Sequence, residues 1–251
     1  MRTRRRNPAC YNPSPVAQMA THAAPEVGGR AQRHTGVVRA THWIAALCVF
    51  ALIVTGLEIV ASHPRFYWGE DGNIGMTPLF SIPIPSSRAT VPTGYGYVLP
   101  DQNGWSRYLH FQSAWLLVIT GFLYVIYGLV TAHFRNNVLP GGADLRWHAL
   151  RDRTAYAWRY NAGQRLVYAI VIFVALPLVI WTGLAMSPGF VSAFPATVTV
   201  LGGQQTARTL HFFLTIVLIL FVVVHVAMVW RAGFRSRAGA MITGKLRSGD
   251  E

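Results

Sequence analysis

The chain has 251 residues, of which 52% are hydrophobic and only 12% charged, about half the charged share of an average soluble domain. With a positive mean hydropathy, this balance excludes an ordinary water-soluble domain and points to a membrane protein. The net charge of +13 raises the question of nucleic acid, and the placement of the basic residues answers it better than their sum.

Residues 1–35 are rich in Arg, Pro, Ala and Gly and lack the apolar core of a signal peptide. They read as a disordered basic tail rather than a cleaved leader. Four apolar stretches follow, near residues 40–61, 108–132, 164–187 and 208–230, each long enough for the roughly 20 helical residues that cross a bilayer. The domain expected is therefore 36–234, with a second tail at 235–251.

Between the first two spans lies a loop of about 45 residues that begins "SHPRFYWGEDG", rich in Gly, Pro and aromatic residues. It reads either as an aromatic belt anchoring the chain at the interface or as a docking surface for a partner. Of the 22 Lys and Arg residues, 18 lie up to Arg39, between Arg135 and Arg165 or from Arg231 onward, and four are Arg65, Arg88, Arg107 and Arg208. By the positive-inside tendency, both termini and the middle loop are cytoplasmic. This accounts for the charge without nucleic acid.

Four of the nine histidines sit at the ends of spans. His42, His110 and His211 each lie near the start of one, and His225 lies near the end of the fourth. The up-and-down topology puts His42 and His225 at the cytoplasmic level and His110 and His211 at the outer level. Along span four the two histidines are fourteen residues apart, which is about 40° short of four full helical rotations and a rise of about 21 Å, so both rings project from one face. Two sites stacked across a bilayer, each with a histidine from two different helices, are the arrangement expected of two bis-histidine b haems inside a four-helix bundle. Zinc would call for more ligands per site than the apolar surroundings offer. The absence of Cys-x-x-Cys-His excludes covalent c-type attachment.

Three of the four histidines follow an arginine at the same offset: "RATH", "RYLH" and "RTLH". On a helix, positions three apart are neighbours, so Arg39, Arg107 and Arg208 each lie one turn closer to the membrane surface than their histidine. A haem propionate there would meet a guanidinium; a helix-end arginine reaching for headgroups is the alternative. Gly56 and Gly121 fall near the ligand faces, where they would admit a flat macrocycle or close helix packing. The other five histidines, His133 among them, read as surface groups.

The His-x13-His of span four, the histidines heading spans one and two, and the segment "RYNAGQRLVY" resemble the cytochrome b subunits of formate dehydrogenase (its gamma subunit), thiosulfate reductase and nickel-iron hydrogenase. "HPRFYWGEDG", "TGLAMSP" and "MITGK" are most similar to the thiosulfate-reductase type. The resemblance spans residues 35–244. It implies an all-α, multi-pass protein of the bacterial cytoplasmic membrane, the electron-transfer subunit of a quinone-linked oxidoreductase complex in a respiratory chain. Two haem b groups would carry electrons between quinone and a molybdopterin or iron-sulfur oxidoreductase subunit on the outer face. It further implies a quinone site beside the cytoplasmic-side haem, carried by Asn161 and Gly163; helix capping by Asn161 is the simpler reading of that residue. Two other functions stay open: a stand-alone cytochrome b serving a small oxidant, and a haem-free membrane anchor or transporter.

Overall fold

A computed structural model describes residues 35–73, 75–84, 102–140 and 162–244. Four helices among them are long and apolar enough to cross a membrane. The first is α1 (Gly36–Ser62), the second α2 (Gln102–Val130) and the fourth α7 (Gln204–Arg231). The third consists of α3 (Ala162–Ile170) and α4 (Leu176–Leu184), joined by a π-helical turn, Val171–Ala175. The chain is thus mostly helical, and its four apolar helices suit a membrane bundle.

Both ends of α1 have a local cause. Thr35 caps α1, its hydroxyl accepting from the Val38 amide at 3.5 Å and meeting the Tyr127 hydroxyl of α2 at 2.9 Å. The helix ends where Pro64 follows His63, whose amide donates to Ile59 and Val60, because proline cannot continue the ladder. The helices start two to six residues before the apolar stretches, and the second and third end two and three residues short of them. At the starts the backbone ladder extends beyond the hydrocarbon residues into the polar interface, where hydropathy gives no signal.

α1 packs along α2, and α4 along α7. Large apolar side chains such as Leu57, Phe122, Leu129 and Leu220 face outward, as lipid contact requires. The buried positions include small hydroxyl residues, among them Thr55, Thr120 and Thr182. Each donates its hydroxyl proton to the carbonyl four residues earlier, which satisfies a polar group that hydrocarbon cannot.

The segment after α1, called outer after the side expected from the charge distribution, is ordered at its start. β1 (Arg65–Phe66) pairs antiparallel with β2 (Phe80–Ser81), and Phe66 is buried between Phe80, stacked at 4.7 Å, and Phe212 of α7 at 4.5 Å. The Gly69 carbonyl accepts from the amides of Gln205 and Thr206 at 3.0 and 3.2 Å, satisfying donors that a helix start leaves open. Thr206 Oγ1 takes the Gly69 amide proton at 2.8 Å, and Thr209 donates to the Tyr67 carbonyl at 2.7 Å. This contact admits only glycine at 203. Its φ of 111° and ψ of 168° suit glycine almost alone, and a Cβ there would lie 2.5 Å from the Gly69 carbonyl.

Two short helices, α5 (Pro188–Ala193) and α6 (Ala196–Thr199), connect α4 to α7. After α7, Gly233 at φ 92° turns the chain into α8 (Phe234–Thr243), so residues expected as tail continue as helix. α8 is tied back to α1: Arg39 Nη1 donates to the Ile242 carbonyl at 2.7 Å and Trp43 Nε1 to the Met241 carbonyl at 3.2 Å.

The Gly203 contact gives a stability prediction. Gly203→Ala should lower stability by about 2 kcal/mol or more, read as a fall in the thermal unfolding midpoint in detergent. Gly189→Ala, whose Cβ would meet nothing within 4 Å, should leave the midpoint where it is.

Candidate functional site

The four span-end histidines meet in two pairs. The His110 and His211 rings, from α2 and α7, have centroids 6.4 Å apart and planes at 65°. The His42 and His225 rings, from α1 and α7, are also 6.4 Å apart, at 51°. A metal–imidazole bond of about 2.0 Å on each side, with about 1.1 Å from each nitrogen to its ring centre, requires about 6.2 Å. Both pairs therefore have the separation at which one metal ion joins two imidazoles.

The chemistry of the donor set narrows the metal. Among the described residues no group of three or more His, Cys, Asp or Glu could hold an ion, so each pair supplies two ligands. Structural zinc takes four. A two-ligand site suits a metal that carries its remaining ligands with it, as porphyrin iron does.

At the outer pair the ring nitrogens are assigned by their partners. Thr55 Oγ1 lies 2.9 Å from His110 Nδ1 and 2.7 Å from the Ala51 carbonyl. The carbonyl can only accept, so the hydroxyl proton goes there and the oxygen accepts from Nδ1–H. Thr182 repeats this with His211 Nδ1 at 3.0 Å and the Leu178 carbonyl at 2.9 Å, and the Val179 carbonyl is also 3.0 Å from His211 Nδ1. Both Nδ1 atoms carry protons, and both Nε2 lone pairs remain for a metal. At the other pair, His42 Nδ1 is buried without a partner among the described residues. His225 is held between Phe221, stacked at 5.8 Å, and Tyr168 at 6.1 Å.

Glycine next to each threonine leaves room for the ring. A Cβ on Gly56 would stand 3.5 Å from His110 Cε1, and one on Gly183 would stand 3.3 Å from His211 Cε1. Gly56 thus faces the His110 imidazole, while a Cβ on Gly121 would meet nothing within 4 Å.

The arginines differ among themselves. Arg208 Nη2 donates to the carbonyls of His63 and Arg65 at 2.5 and 2.8 Å, and Nη1 to Gln205 Oε1 at 3.2 Å. Its guanidinium lies over the Phe66 ring at 4.9 Å, so it fastens the outer segment to α7. Arg107 is exposed. Arg39 uses Nη1 on α8, and its Nε is buried without a partner among the described residues. Ser106 Oγ, one helical turn before His110, is in the same state and fully buried. Each level thus has an orphaned buried donor one turn outward of a ligand histidine, which is the position a propionate carboxylate would satisfy.

Gly163 lies in the first turn of α3; Asn161 lies outside the described residues. Beside them, the buried Arg165 donates from Nη2 to the Leu139 carbonyl. His133 is half-buried rather than a surface group, between Tyr124 and Tyr127 at 5.9 Å each, and burial lowers its pKa. Thr55, Thr182, Ser106, Tyr168 and Phe221 were not singled out by sequence reasoning. The recurrence of "TGL" at residues 55–57 and 182–184 is the one signal that could have found the first two.

Apolar spans enclosing two histidine pairs define an integral membrane b-type cytochrome. The chain matches the prokaryotic cytochrome b561 family over residues 33–244 and belongs to it. It is therefore a bacterial membrane electron-transfer protein of a haem b family, in keeping with the resemblance carried by its motifs. It is similar to the Azospira oryzae protein named "Putative protein-methionine-sulfoxide reductase subunit YedZ1". The two are 29% identical over 208 residues, covering 78% of this chain and 89% of the relative. No solved structure matches it.

Because these glycines make room for the His110 and His211 rings, Gly56→Val and Gly183→Val should each lower the haem-to-protein ratio of the purified chain. Gly121→Val should leave that ratio unchanged.

Proposed function

We propose that the chain carries electrons across the bacterial cytoplasmic membrane between quinone and a redox partner on the outer face, through two bis-histidine b haems. His42 and His225 hold the cytoplasmic-side haem, and His110 and His211 hold the outer one. The observation that carries this reading is the pair of equal 6.4 Å ring separations, at levels set by fourteen residues of one helix. Haem b at each site supplies a one-electron carrier, and two protein ligands per iron leave no open coordination position. The chain's own work is to hold the rings, exclude water and keep the two levels in register.

Arg39 and Ser106 are proposed to meet propionates with their orphaned donors, and Arg107 and Arg208 to supply positive charge at the outer surface. Gly163, with Asn161 before it, is the proposed quinone site. Proximity of this turn to the cytoplasmic pair is supported by Tyr168, which lies two helical turns into the third span and against His225. The distribution of basic residues supports a cytoplasmic position for both termini. The partner class is a molybdopterin or iron-sulfur oxidoreductase subunit. The Azospira relative's name, a reductase subunit acting on protein methionine sulfoxide, supports an assembly with a catalytic subunit over a stand-alone cytochrome. So does the ordered outer segment, whose exposed Trp68 and Leu79 suit contact with another protein.

A reduced-minus-oxidised spectrum with a haem assay of the purified chain tests the proposal. Two b haems per chain are expected, with one lost in His211→Ala and the other in His225→Ala; absence of a b-type α band would sink it. Quinone use is tested separately. Asn161→Ala should slow haem reduction by quinol about tenfold, the equivalent of one lost hydrogen bond, with haem content unchanged.

A further inference from the structure

We propose that Thr55 and Thr182 are positioning residues that tune the outer ligand pair electronically, so that the two levels of this chain differ in potential by construction. The proposal rests on the bis-histidine reading above.

The outer pair is built from a repeat. Thr55-Gly56 near the outer end of α1 buttresses His110, which lies near the start of α2. Thr182-Gly183 at the outer end of α4 buttresses His211, which lies near the start of α7. Each helix running outward thus presents a Thr-Gly pair to the histidine of the helix running back. In both cases the hydroxyl proton is committed to a helix carbonyl, so the oxygen faces Nδ1–H as an acceptor only. A hydrogen bond accepted from Nδ1–H raises the basicity of Nε2. A more basic ligand favours the ferric over the ferrous ion, and so lowers the potential of the iron it holds.

Among the described residues, no hydroxyl is hydrogen-bonded to either ring of the inner pair. The ring contacts of His225 are Phe221, Tyr168 and His42 itself, and His42 Nδ1 is buried without a partner among the described residues. Among the described residues the Thr-Gly repeat is therefore confined to one level, and the outer haem is expected to be the lower-potential member of the two. The two threonines also differ in degree. Thr55 Oγ1 alone serves His110 Nδ1 among the described residues, whereas His211 Nδ1 has the Val179 carbonyl as a second acceptor at 3.0 Å.

The test is a redox titration of the purified full chain, followed at the α band, on Thr55→Val, Thr182→Val and the two Thr→Ser variants, with haem content measured for each. Thr55→Val should raise the midpoint of the lower-potential component and leave the other in place. Thr182→Val should move the same component by less, and both serine variants should return it to the wild-type value. If Thr55→Val loses one haem while Thr55→Ser keeps it, the positioning role stands and Thr182→Val carries the reading of the potential. Two haems retained with neither midpoint moved, both moved equally, or a shift in the higher-potential component would overturn the proposal while leaving the histidine pairing intact. A wild-type chain without two b haems would instead remove the pairing itself.

Discussion

Hydrocarbon cannot solvate an imidazole, and much of the organisation of this protein follows from that constraint. A neutral histidine has one donor and one acceptor nitrogen, and leaving either open in the membrane interior costs free energy. At the outer level the donor is answered by a threonine whose own proton has already gone to the backbone. That leaves the acceptor, and the facing ring 6.4 Å away leaves space for one ion between the two. At this level a metal site would be the remainder after the helices have satisfied the Nδ1 atom of each ring.

α7 is the element on which both levels depend, since it alone contributes to each pair. Its register is fixed at the outer end, where the Gly69 carbonyl caps its first turn and Arg208 grips two carbonyls of the outer segment. At the inner end the chain turns at Gly233 into α8, which hydrogen-bonds back to α1 through Arg39 and Trp43. The helix that carries two ligands is thus tied at the outer end to the segment following α1, and at the inner end to α1 itself. A span free to slide by one residue would turn both rings about 100° off their partners.

Much of this was legible in the sequence, for a physical reason. Lipid imposes a long apolar run on each span, and the His-x13-His interval is a local count along a single helix, so spans and pairing needed no tertiary knowledge. What escaped were contacts between elements distant in the chain. Thr55 and His110 are 55 residues apart, and nothing in the composition around Thr55 marks it as a hydrogen-bond acceptor. The arginines show the opposite limit. Arg-x-x-His placed Arg208 one turn beyond His211, yet where its donors went depended on the fold of residues 63–65. α8 was read as tail because its charged residues hide the two carbonyls that dock on α1. The "NAG" turn is known from its sequence alone, Asn161 being outside the described residues.

The bond between the outer segment and the start of α7 also bears on how such a chain can change its associations. Phe66, Tyr67 and Gly69 on one side and Gly203, Thr206, Thr209 and Phe212 on the other form one interlocked block, although some 130 residues of chain separate them. A segment grafted alone from a relative would arrive without its matching helix start. Divergence of the outer surface is therefore coupled, and substitutions in "FYWG" and in "GGQQTART" are expected to travel together as a single inherited cassette. Its free edge can vary with whatever it meets, while its inner edge stays bound to the geometry of His211.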